Sequence, residues 1–193
     1  MNRPLLAVAL VAALAAPAAA EIQKSGPEVW PGKFQVGAHV IGGQFGWTGF
    51  EASGFRLDFD FAGRVKDFDK FTLWVGGGIH YTAGGIYACV GCGGFQNDFG
   101  FWGFVEISLE KLLTQIPLVP YVRAGPDGGI LYYGAAGGYF DIRLLGGIHY
   151  FITKNVGLGA EMSVAFGAGF YPGKLGTGFY GTWTGQLGAR FAF

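Results

Sequence analysis

The segment Trp183-Thr-Gly-Gln-Leu-Gly-Ala-Arg-Phe-Ala-Phe193 decides the fold. Counting back by twos gives Phe193, Phe191, Ala189, Leu187, Gly185 and Trp183, all apolar. Between them lie Ala192, Arg190, Gly188, Gln186 and Thr184, which are polar or very small. A strict period of two, with one greasy face and one wet face, is a strand separating two solvents. When every strand of a chain behaves this way, and one face suits lipid throughout, the strands close into a barrel within a membrane.

Composition agrees with that reading. The 193 residues allow one domain, and they are 51% hydrophobic and 17% aromatic with 37 Gly. The mean hydropathy of +0.35 resembles that of a membrane protein. Beyond the N-terminus, however, no apolar run reaches even half the roughly 20 residues that a spanning helix needs. Hydrophobicity must therefore arrive at every second residue. With 13 basic and 13 acidic residues the net charge is zero, so nothing in the balance suggests nucleic acid.

The N-terminus reads as a leader. Met1-Asn-Arg3 is a short positive start, Leu5 to Ala16 is nearly all Leu, Ala and Val, and Pro17-Ala-Ala-Ala20 offers a small-residue cleavage site. Residues 1–20 are thus expected to be a signal peptide cleaved after Ala20, residues 21–32 an N-terminal periplasmic segment, and residues 33–193 the barrel.

Working outward from the last strand, eight alternating segments can be drawn. Lys33 to Ile41 places Phe34, Val36, Ala38 and Val40 outward, with Gln35, Gly37 and His39 inward. Phe55 to Val65 is the clearest, with Phe55, Leu57, Phe59 and Phe61 outward against Arg56, Asp58, Asp60 and Arg64. Phe71 to Thr82 puts Thr72, Trp74 and His80 inside, and Phe101 to Leu109 puts Trp102, Phe104, Glu106 and Ser108 inside. Val119 to Gly125 is short, with Tyr121 and Arg123 inward, and Pro120 marks its beginning because proline cannot donate to the ladder. Tyr139 to Phe151 directs Asp141, Arg143 and His149 inward, Val156 to Phe166 does so for Glu161 and Ser163, and the last strand starts near Phe179.

Connections should alternate in length. Lys66-Asp-Phe-Asp-Lys70 and Thr153-Lys-Asn155 are tight and charged, and 110–118 is longer, with room for a helical turn. These belong on the periplasmic rim together with both termini. Gly-rich links at 42–54, 83–98, 126–138 and 167–177 are expected on the outside.

Parity also sorts the charges. Arg56, Arg64, Arg123, Arg143 and Arg190 all fall on the inward face, as do Asp58, Asp60, Glu106, Asp141 and Glu161. A charge on the outer wall at mid-membrane costs about 2–4 kcal/mol, which explains the sorting. The interior of eight strands is only wide enough for side chains to fill, so these ten groups should pair. Trp74, Trp102, Tyr121 and the inward glycines Gly76, Gly78, Gly157 and Gly159 would fill the rest. The expectation is a plugged, ion-paired lumen, with a small pore or ligand tunnel as the alternative. On this reading removal of Glu161 bares an arginine, at about 3–5 kcal/mol.

The stretch Gly146-Gly-Ile-His-Tyr-Phe-Ile-Thr-Lys-Asn-Val-Gly-Leu-Gly-Ala-Glu161 resembles the strand–turn–strand signature of the OmpA/OmpX-like family of small outer-membrane β-barrel proteins. An ending at Phe193, with Phe191 before it, is similar to that family's signal for the barrel-assembly machinery. The resemblance implies an all-β, eight-stranded antiparallel up-and-down transmembrane barrel in a Gram-negative-type outer membrane, in contact with lipid and lipopolysaccharide. It says little about function. The chain departs from full-length OmpA-type proteins in ending at Phe193, without a periplasmic peptidoglycan-binding domain, so cell-wall tethering is not implied.

Remaining motifs point to no cofactor. Cys89 and Cys92 form a C-x-x-C that reads as a loop-closing disulfide in an oxidising compartment. Residue 93 is Gly where a haem site needs His, and the loop offers too few ligands for zinc. His39, His80 and His149 lie on different strands as lumen hydrogen-bonding groups rather than a metal cluster. A lipid A-modifying enzyme would need an exposed Ser–His–acid set, whereas Ser108 and Ser163 face inward. Catalytic, cofactor and metal residues are therefore not expected. A surface adhesion role remains open, through the aromatics Phe45, Trp47, Phe50, Tyr87, Phe95, Tyr132, Tyr133, Phe170 and Tyr171 of the outer links. Any extracellular ligand is not legible.

Overall fold

The computed structural model of the protein describes residues 33–46, 51–87, 93–111, 113, 116–132, 136–171 and 176–193. The expected leader 1–20, the segment 21–32 and the expected Cys89–Cys92 disulfide lie outside the described residues, as do Trp47, Phe50 and Tyr133 of the surface aromatics.

Eight antiparallel strands form one closed barrel in chain order. They are β1 (Phe34–Gly46), β2 (Glu51–Asp67), β3 (Thr72–Tyr87), β4 (Gly93–Ser108), β5 (Leu118–Tyr132), β6 (Ala136–Thr153), β7 (Val156–Tyr171) and β8 (Gly176–Ala192). The ring shuts where β8 returns to β1. There the Phe34 amide donates to the Phe193 carbonyl and the Phe193 amide to the Phe34 carbonyl, both at 3.0 Å. Hydrocarbon offers no partner to a bare backbone group, so a sheet that spans it has to leave no edge.

Alternation of side chains follows the expected parity. Along β2, Phe59 and Phe61 are exposed on the outer wall, while Asp58 and Asp60 are buried at 1% and 3% relative exposure. Phe140, Ile142 and Leu144 of β6 likewise face out, with Asp141, Arg143 and Leu145 between them buried. Bulges at Arg64/Lys66 in β2 and Phe151/Thr153 in β6 fall close to the tight turns.

The strands are longer than periodicity alone predicts, and the Gly-rich links are correspondingly shorter. β3 continues to Tyr87 and β4 resumes at Gly93, so most of 83–98 is wall rather than loop. β5 runs from Leu118 to Tyr132, absorbing Pro126, Gly128 and Gly129, which the sequence alone presents as turn signals. The same holds for 42–54 and 167–177, where β1 reaches Gly46, β2 begins at Glu51, β7 reaches Tyr171 and β8 begins at Gly176. The connection after β4 contains turns at 110–111 and 116–117.

A close approach explains one of these glycines. The β4–β5 register pairs Trp102 with Asp127, skips two positions, and resumes at Val105 with Ala124. Pro126 has no amide to give, and a Cβ on Gly125 would stand 1.9 Å from the Gly103 carbonyl oxygen. Only glycine lets the two backbones come that near. Gly125→Ala is therefore expected to destabilise the barrel by about 1–3 kcal/mol through overpacking. The midpoint of heat-induced loss of the fast-migrating band on gels checks this; an unchanged midpoint contradicts it.

Candidate functional site

The chemistry of this chain is concentrated inside the ring, because inward parity buries charged side chains from β2, β4, β5, β6, β7 and β8 there. Two polar clusters stack along the axis, and each links strands distant in sequence.

The first cluster lies nearer the end with the tight turns and centres on Arg123 of β5. Its guanidinium donates Nη1 and Nη2 to Asp60 of β2, at 2.9 Å and 3.2 Å, and Nε to Glu106 of β4, at 2.5 Å. The second Glu106 oxygen accepts from Arg190 of β8 at 3.1 Å and from Gln35 of β1 at 3.3 Å. Arg123 also lies 4.3 Å from the Phe104 ring centroid and 5.6 Å from Trp102, and Arg190 lies 4.2 Å from Tyr121. A planar guanidinium suits both roles, since its edge reaches carboxylates while its face stacks on rings. Tyr121 donates its hydroxyl to Glu161 of β7 at 2.6 Å. His39 stands between Asp60 and Glu161, at 3.5 Å from each.

The second cluster occupies the half towards the other end. Arg56 donates Nε and Nη2 to the two oxygens of Asp58, at 2.9 Å and 3.1 Å, and reaches Asp127 of β5 at 3.4 Å. Arg143 of β6 bridges Asp58 at 3.3 Å and the Gln186 side-chain oxygen at 3.2 Å, while the Gln186 amide donates to Asp58. His80 Nε2 lies 2.5 Å from the Tyr139 hydroxyl, 3.6 Å from Asp98 and 3.7 Å from Asp127. Tyr180 donates to Asp141 at 2.5 Å.

Of the ten residues expected to form the ion-paired set, seven meet directly in these clusters: Arg56, Asp58, Asp60, Glu106, Arg123, Arg143 and Arg190. Three do not. Arg64 sits at the rim, stacked on Trp74 at 5.1 Å and paired with Glu110 at 3.1 Å. The register of β2 shifts directly after it, between Arg64 and Lys66. Glu161 and Asp141 accept from tyrosine hydroxyls, those of Tyr121 and Tyr180, and Glu161 also stands 3.5 Å from His39. Removal of Glu161 takes the acceptor from the Tyr121 hydroxyl.

Sequence reasoning also misses participants. Asp98 and Asp127 fall in segments that read as loops, and neutral Gln35 and Gln186 carry no charge to mark them. Continuing the inward parity Tyr121, Arg123, Gly125 by one step finds Asp127. At the rim Glu110 is buried against the Thr72 hydroxyl and Arg64, and burial pushes its carboxyl above the ordinary range, against the opposite pull of Thr72 and Arg64.

The closed ring of eight antiparallel strands with a polar interior is the fold of the small outer-membrane β-barrels. Among solved structures the chain is similar to Neisserial surface protein A (NspA), with TM-score 0.62 and 18% identity over 83% of this chain and 97% of that one. It is also similar to the outer membrane enzyme PagL, with TM-score 0.52 and 14% identity over 82% of this chain and 99% of that one. No protein-family model and no curated protein sequence matches the chain.

The geometry ranks the residues. Arg123→Met leaves Asp60 and Glu106 buried without their shared cation and is expected to cost about 3–5 kcal/mol. Glu161→Ala takes the acceptor from the Tyr121 hydroxyl, about 1–3 kcal/mol. Equilibrium unfolding in urea checks the order, and a larger loss for Glu161→Ala would contradict it.

Proposed function

We propose that this protein is a structural outer-membrane barrel whose lumen is plugged by its own ion pairs, contributing to envelope integrity and holding short connections at the cell surface. The observation that carries this reading is the chain Asp60–Arg123–Glu106–Arg190, which reaches from β2 through β5 and β4 to β8. Its four side chains are 3% exposed or less. Charges held this tightly across a cylinder take the space in which water and ions would otherwise move.

The orientation follows from the connections. The turns at 68–71 and 154–155, the 110–117 connection and the start of β1 with the end of β8 share one end. In this class of barrel that end is periplasmic. Exposed Phe99, Phe140, Tyr132, Phe170 and Phe179 sit nearer the other end, where aromatic rings favour the membrane–water boundary.

No catalytic step enters this reading. Ser108 and Ser163 are buried on the lumen side, where an acyl chain in the outer leaflet would not meet them. Lipid A from cells with and without the protein is expected to give identical acyl-chain patterns by mass spectrometry. A chain lost or gained would replace the structural reading with an enzymatic one.

Planar-bilayer recording tests the plug directly. The purified wild-type barrel is expected to give no steady single-channel steps, whereas Arg123→Ala combined with Asp60→Ala opens the cluster around Arg123 and gives them. Large, stable steps from the wild type would overturn the proposal.

A further inference from the structure

The described part of the lumen does not balance its charge. Within the strands seven buried carboxylates (Asp58, Asp60, Asp98, Glu106, Asp127, Asp141 and Glu161) face four buried guanidiniums, those of Arg56, Arg123, Arg143 and Arg190. Glu110 lies beyond the strands and has Arg64 as its own partner. Two of the three surplus acids belong to the outer cluster, where Asp58 and Asp127 take Arg56 and Arg143, while Asp98 lies beside His80 and Asp141 accepts from Tyr180.

The register makes the surplus local. Asp127 of β5 is paired directly with Asp141 of β6, both inward. Like charges placed opposite one another on neighbouring strands repel, and burial sharpens the repulsion. Asp127 and Asp141 are 3% and 4% exposed, and Oδ1 of each lacks a hydrogen-bond partner, although the second oxygen is held by Arg56 in one case and by Tyr180 in the other. Two buried acceptors of like charge stand side by side, the Asp141 Oδ1 bare and the Asp127 Oδ1 with only His80 Nε2 at 3.7 Å, an arrangement that a bound positive ion would relieve.

We propose that Asp127 and Asp141 bind a small inorganic cation in the outer half of the lumen. Oxygen ligands select hard ions such as sodium or calcium. Among the described residues no three His, Cys, Asp or Glu side chains converge as metal ligands, so the ion rests on two carboxylates and keeps water in its remaining positions. A site of this kind binds weakly and fills at the salt concentrations found outside a cell. It is separate from the Arg123 layer, whose guanidinium is taken by Asp60 and Glu106.

The experiment uses the whole barrel folded in a zwitterionic detergent and reads its thermal unfolding midpoint at pH 7.5. Sodium chloride, calcium chloride and N-methylglucamine chloride are compared at equal ionic strength. Sodium or calcium is expected to raise the midpoint by about 3 °C over the bulky organic cation, a poor ligand for two carboxylates. The sodium and calcium arms tell which charge is preferred. Asp141→Asn is expected to abolish the difference, and the exposed control Asp69→Asn to keep it. Should Asp141→Asn fail to fold, Asp127→Asn serves in its place, and the wild-type comparison decides by itself. Identical wild-type midpoints in all three salts would overturn the proposal. So would a midpoint that rises on acidification yet ignores the identity of the cation, since protons would then fill the deficit.

Discussion

Lipid on the outside forces nearly everything else in this molecule. A wall facing hydrocarbon cannot carry charge at its middle and cannot leave a backbone amide bare, so the chain has to close on itself and turn its polar side chains inward. The hydrogen bonds between Phe34 and Phe193 satisfy the second demand by joining the two ends of the barrel. Inward parity satisfies the first, and in doing so it crowds carboxylates and guanidiniums into a cylinder with room for little besides side chains. The two polar clusters are the consequence. Their aromatic neighbours, Trp102, Phe104 and Tyr121, supply faces for the guanidiniums where further carboxylates would only add negative charge.

Much of this is legible because β-structure writes itself with a period of two. Asp58 and Asp60, interleaved with Leu57, Phe59 and Phe61, admit only one orientation in a membrane, and the structure adopts it. The failures have a common physical source. Glycine and proline report turns in soluble proteins, but in a narrow barrel they also allow backbones and bulky lumen groups to approach closely. Gly125 against the Gly103 carbonyl is the clearest case, and it conceals the true length of β5 and with it Asp127.

Which groups meet is harder to read than which face inward. Arg123 finds Asp60 across 63 residues of sequence, and Arg190 finds Glu106 across 84. Those encounters depend on how far each strand slides past its neighbours as the sheet closes, a quantity that no single strand encodes. Glu161 shows the limit well. Its direction is evident, yet nothing in its own strand points to the Tyr121 hydroxyl that it accepts from.

The long spans of these contacts also constrain how the protein comes to exist. The Gln35 side chain meets Arg190 across 155 residues, so that pair cannot form until the first strand has met the last. Until that seam zips, the arginines and aspartates need water around them, even as the outer wall enters oil. A hydrated, unclosed sheet must therefore precede the finished cylinder, and the meeting of the first and last strands becomes a late event in biogenesis.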